Sequence, residues 1–170
     1  MADEQREKTP LVKVELRRVD LAEYVQTDVR LRGCGLLREL GDELAMQFLK
    51  AGVLRRFSPR TVLYDQAQRG NSLFWVVKGE AWLALRVNGQ LVDLGPVQRG
   101  EVFGESEALG EAETRPWLVR ASGQLDVAEF PQEAVRSVGA QAPSLLQHLS
   151  DVAARRSHTQ ADMLVFLNRW

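Results

Sequence analysis

Cysteine is nearly missing from this chain: Cys34 stands alone. One thiol can build neither an internal disulfide nor a cysteine-rich metal site, which fits a reducing compartment and an inert side chain. Histidine is almost as scarce. His148 and His158 fall on one predicted helix with a separation that keeps them from sharing a metal ion, so solvent or interface positions are expected. No apolar run approaches the roughly 18 residues of a membrane span, and the opening MADEQREKTP lacks the basic-then-apolar order of a secretory signal. A cytoplasmic protein with no membrane partner is the expectation. Neither sign of charge dominates: 22 basic residues meet 23 acidic ones, for a net charge of -1. That balance removes the electrostatic reason to expect a nucleic-acid partner. Ser106 sits in no G-x-S-x-G pattern, and RGCG at 32–35 lacks the Lys-Ser/Thr of a phosphate-binding P-loop. No catalytic residue, metal or cofactor is assigned, and an enzyme is not expected.

What is present is enough apolar side chain, 45% of 170 residues, to bury the core of one domain with an added arm. Residues 1–10 are charged and aperiodic and read as a tail. The segment from Leu11 to Val25 begins with strand-like alternation and drifts toward helical spacing, so both states stay open. LLRELGDELAMQFLKAG predicts a helix with Asp42 as N-cap and Gly52 as its stop. From Val53 to Phe130 short β-type runs alternate with turns: TVLYD, SLFWVVKG, EAWLALRV, QLVDLG, PWLVRA and LDVAEF. Such spacing reads as an antiparallel barrel or roll, with Asn88-Gly89 as a type I′ hairpin turn. Trp75, Trp82 and Trp117 fall in these runs and read as core or roll surface. The pairs Arg17-Arg18, Arg55-Arg56 and Arg155-Arg156 read as solvated faces. PQEAVRSVGAQ predicts a short helix, and Pro143 suits the first turn of a long final one. Along that helix Leu149, Val152, Arg156, Thr159, Met163, Phe166 and Trp170 follow the spacing of a coiled-coil seam, broken at Arg156 and Thr159. Such a seam suits either packing on the chain's own roll or a dimer.

One stretch asks for a ligand. FGESEALGEAETRPWLVRA, residues 103–121, sets a lone arginine, Arg115, behind a glycine corner and several carboxylates. Together with TVLYDQAQRGNSLFWVVKGEAWL, RGEVFGES and LLQHLSDVAARR, in that order, it resembles the cyclic nucleotide-binding domains of the catabolite-activator type. The resemblance runs from about Leu36 to Leu167. It implies a mainly β fold with flanking α: an antiparallel, jelly-roll-like β-roll with N-terminal helices, a short cassette helix and a long C-terminal helix. It divides the chain into an arm at 1–35, a roll at 36–142 and a dimerisation helix at 143–170.

The resemblance also implies roles. Phe103, Gly104, Glu105, Ser106, Arg115 and Pro116 fall in the phosphate and ribose cassette, with Arg115 pairing the phosphate and Glu105 accepting from a ribose hydroxyl. Thr159 and Gln160 fall where the final helix faces the base, and Leu149, Val152, Met163, Phe166 and Trp170 form the dimer seam. Two residues depart from the family pattern. Pro116 supplies neither the hydroxyl nor the N–H usual after the arginine, and Glu107 replaces a small residue, so its carboxylate must turn outward to spare a phosphate. Glu111 and Glu113 are expected on the solvent side. Arg60 and Ala67 stand at customary turn glycines. The leading reading is a stand-alone cAMP or cGMP receptor that signals through a protein partner as a homodimer. The alternative is a degenerate, dimeric interaction module that no longer binds nucleotide. The chain offers no recognition helix after the final one, so sequence-specific DNA binding is not expected.

Overall fold

The computed structural model describes residues 15–16 and 20–169. The first ten residues, Arg17, Arg18 and Trp170 lie outside them. The strands are β1 (Glu15–Leu16), β2 (Val53–Phe57), β3 (Val62–Tyr64), β4 (Leu73–Lys78), β5 (Ala81–Val87), β6 (Gln90–Val97), β7 (Val102–Phe103), β8 (Leu118–Ala121) and β9 (Leu125–Phe130). The helices are α1 (Leu21–Gln26), α2 (Val29–Arg32), α3 (Gly35–Arg38), α4 (Gly41–Ala51), α5 (Glu105–Ala108), α6 (Gln132–Gln141) and α7 (Pro143–Leu167).

Two antiparallel sheets, ordered β1-β2-β9-β4-β7 and β3-β8-β5-β6, make a β-roll. β4 explains how the layers stack. Its alternate residues Phe74 and Val76 join Leu83, Val97, Val119 and Val127 between the sheets, while Leu73, Trp75 and Val77 face the helices with Phe48, Leu145 and Leu149. A strand buried on both faces reads as the unbroken apolar run LFWVV. The hairpin after β5 turns at Asn88 and Gly89, both at positive φ (50° and 78°), as a type I′ turn requires. Arg60 and Ala67 also lie at positive φ (64° and 67°), the conformation that a glycine at those turns would take without strain.

The structure corrects two expectations about the helices and strands. Gly41 turns the chain at positive φ, so Asp42 falls inside the first turn of α4 and Leu40 takes the cap position. There the Asp42 carboxylate favours the helix dipole instead of capping it. The Arg55-Arg56 pair is no solvated face either. β2 pairs with β9, and Arg55 meets Glu129 while Arg56 grips Asp126 through Nε (2.6 Å) and Nη2 (2.8 Å).

Leu145, Leu149, Val152 and Ala153 of α7 are buried in the chain's own core. Leu149 and Val152 are therefore taken up within the chain, and among the described residues of the seam Met163 and Phe166 are the apolar ones left open to a second copy; Phe166 is 59% exposed. Among the described residues no helix is long and apolar enough to cross a membrane.

Candidate functional site

The cassette begins where β7 ends. Phe103 is fully buried and stacks on Phe74 (ring centroids 5.0 Å apart), so it anchors the turn to the roll and offers nothing to a ligand. Gly104 then takes φ 79°, and a Cβ there would stand 2.6 Å from the Ser72 carbonyl oxygen and 2.8 Å from Arg115 Nη1. Only glycine fits both the torsion and the space. α5 follows as a single turn, and the chain returns through 109–114 to Arg115.

Arg115 is fixed at its backbone and enclosed at its head. Its N–H donates to the Gln68 carbonyl (2.7 Å) and its own carbonyl accepts from Ala67 N–H (2.8 Å). The guanidinium lies against Gly70, where a Cβ would come within 2.7 Å of Nε and Nη2. It stands over the Tyr64 ring at 4.4 Å and near Phe74 at 5.5 Å. Nη1 donates to the Ser72 carbonyl (3.1 Å) and to Glu107 Oε1 (3.0 Å). Glu107, expected to turn outward, turns inward instead, and both side chains of the pair are almost wholly buried (5% and 1% exposed). A cation enclosed by aromatic rings needs a counter-charge, and the residue two places after the cassette glutamate supplies it.

A second buried pair ties the cassette to α7. Glu105 Oε2 accepts from Arg156 Nη1 (2.6 Å), and Arg156 Nη2 donates to the Val102 carbonyl (2.6 Å). Burial pushes the Glu105 carboxyl up from its ordinary range, against the pull of Arg156. Burial, and then the Glu107 charge, push the Tyr64 phenol well up. Among the described residues Glu105 Oε1 and the Tyr64 hydroxyl have no hydrogen-bond partner. Two carboxylates thus balance two guanidiniums inside the roll.

The structure brings Gly104, Glu105 and Arg115 together. Among the described residues no hydrogen bond joins Ser106, Pro116, Thr159 or Gln160 to any of them. Thr159 is exposed, and its Oγ1 donates to the Arg155 carbonyl of its own helix (3.1 Å). Glu111 and Glu113 are exposed. The sequence reading passed over Tyr64 and put Arg156, with Arg155, on a solvated face; the structure instead sets Arg156 against Glu105 and the Val102 carbonyl. The signal for Arg156 lay in the broken seam, a charge at a position otherwise reserved for apolar contact. Among the described residues no group of three or more His, Cys, Asp or Glu is placed to hold a metal.

This arrangement, a glycine-opened turn, one helical turn and a returning arginine on a β-roll, agrees with the comparisons. The sequence model of the cyclic nucleotide-binding domain matches residues 54–142. The chain belongs to the cyclic nucleotide-binding domain family. The cAMP-activated global transcriptional regulator CRP of Salmonella typhimurium is 26% identical over 110 residues, covering 64% of this chain and 52% of that protein. The domain thus spans about half the length of the curated relatives it first matches. A lysophospholipase, nte1, of Aspergillus oryzae is 27% identical over 96 residues, which cover 56% of this chain and only 6% of that protein.

Solved structures share the fold. The Thermus thermophilus catabolite activator protein superposes with a TM-score of 0.67 at 24% identity, covering 79% of this chain and 63% of the other. The regulatory domain of Toxoplasma gondii PKA, solved with cAMP, gives 0.67 at 19% identity, over 79% and 49%. The c-di-GMP-responsive regulator CLP of Xanthomonas campestris gives 0.63 at 22% identity, over 74% and 63%.

Proposed function

We propose that this domain is a nucleotide-independent regulatory module, in which the Glu107 carboxylate stands where a nucleotide phosphate would sit and the roll presents surfaces to a protein partner. One observation carries the reading: the buried Arg115–Glu107 pair at 3.0 Å. A phosphate entering this site would have to expel a carboxylate already paired and desolvated, or lie beside it as a second anion. Pro116, with no N–H, takes away a further donor. The Glu105–Arg156 pair at 2.6 Å supports the same reading, because it ties α7 directly to the cassette through the chain's own side chains. Dimerisation through the distal half of α7, within the segment 143–170, completes the proposal and uses Met163 and Phe166.

A second reading, the cAMP or cGMP receptor, is favoured by Oε1 of Glu105, which has no hydrogen-bond partner among the described residues and is an acceptor suited to a ligand hydroxyl. Calorimetric titration of the wild-type chain separates the two. The module reading expects no saturable heat with cAMP or cGMP up to about 1 mM, the weak limit of useful affinity. Saturable binding of either nucleotide below that concentration would install the receptor reading in its place.

A further inference from the structure

The outer face of the sheet β3-β8-β5-β6 sets apolar side chains among its arginines, where a solvated strand face is usually polar throughout. The register sets Val62 opposite Arg120, Arg120 opposite Trp82 and Trp82 opposite Pro96, so these residues form one row across all four strands. Their strand neighbours Leu83 and Val119 point into the core between the sheets, which turns the row outward. With Leu118, Leu91 and Arg60 it borders a cleft of about 560 Å³. Val62 and Leu91 are exposed (38% and 41%), and Trp82 is half-buried with its indole N–H donating to Glu80 Oε1 (2.8 Å).

Three arginines ring this apolar floor. Arg120 is held by Asp93 (2.9 and 3.1 Å) and Arg86 by Asp65 (3.0 Å), both in pairs open to solvent. Such pairs are weak and exchange readily for other carboxylates. Arg60 has no carboxylate partner among the described residues. A tryptophan flanked by arginines and aliphatic side chains, with no lysine in the cleft, has the composition of an interface centre.

We propose that this face is a docking surface for an acidic, extended segment of a partner protein, which lays an apolar side chain over Trp82 and sets carboxylates on Arg60 and Arg120. The inference rests on the module reading for there being a protein partner, and it names that partner's chemistry. A single aromatic platform, Trp82, disfavours a run of stacked nucleic-acid bases.

Selection of random displayed peptides against the full chain tests it. The expected binders are rich in Asp and Glu around one aromatic or aliphatic anchor, and they change the tryptophan fluorescence of the wild type more than that of Trp82→Phe. Their affinity should fall at least about tenfold in Arg60→Glu and in Trp82→Phe, each compared at a melting temperature matching the wild type so that loss of the roll is not what is read. Basic or uncharged binders, no enrichment at all, or binding unchanged in both variants would overturn the proposal. A single-stranded oligonucleotide whose binding is lost in the same variants would assign the face to nucleic acid and overturn it as well. Cyclic-nucleotide binding by the wild type would instead remove the module reading, leaving these peptide results to stand separately.

Discussion

Glu107 turns inward onto Arg115 and makes a buried ion pair inside the candidate site. Its carboxylate and the Arg115 guanidinium are both almost wholly out of water, so truncating either strands the other. Breaking a buried pair in this way costs about 3–5 kcal/mol. Glu107→Ala should lower the denaturant midpoint accordingly, and Glu107→Ala with Arg115→Leu should recover part of the loss, as equilibrium urea unfolding will show. His148 offers a separate test. Burial, and then Arg155, hold its pKa below the ordinary 6.5, so the unfolded chain binds the proton first as pH falls. Its stabilising contribution is therefore full above 6.5 and is lost as pH falls through the depressed folded value. The wild type should lose melting temperature between pH 7.5 and 5.5 (a range of about two units around the ordinary value) more steeply than His148→Gln. Equal slopes would show that the imidazole is not held neutral.

Among the elements, α7 is tied to the cassette by Arg156 and packed on the core through Leu145, Leu149 and Val152. Arg156→Leu should leave Glu105 buried without its counter-ion and loosen α7 from the roll, and hydrogen exchange should accelerate in residues 153–167 before it does in β4 or β9. Exchange unchanged in α7 would mean that packing at Leu145, Leu149 and Val152 alone holds the helix. Beyond Ala153 the helix projects Val165 and Phe166 into solvent. Light scattering should report two chains for the wild type, and one for Met163→Glu or Phe166→Glu, at tens of micromolar as a rough working concentration. The elements also mark how far the sequence could be read. β4, β5, β6 and β9 were legible from apolar runs between turn residues, and α7 from Pro143 and its seam. β2 was hidden because Arg55 and Arg56 interrupt its pattern, their charges being met by Glu129 and Asp126 from a strand far along the chain. β7, two residues long, has no period to read.

For the whole molecule, the roll is shared with nucleotide-binding regulators while the interior chemistry departs from a free anion site. The glycine corner and Arg115 were legible as a candidate site, since these residue types are set by backbone torsion and local charge. The inward turn of Glu107 was not, because it depends on Tyr64, Phe74, Gly70 and Ser72 meeting around the guanidinium, and only the folded roll brings them together. The central claim is that Glu107 occupies the phosphate position. Its most direct test is calorimetric titration of Glu107→Ala with cAMP and cGMP beside the wild type. With the carboxylate gone, Arg115 keeps its place between Gly70 and Gly104, and a nucleotide phosphate should bind it at least about tenfold more tightly than in the wild type. Equal affinity in the two proteins, whether both bind or neither does, would contradict the claim.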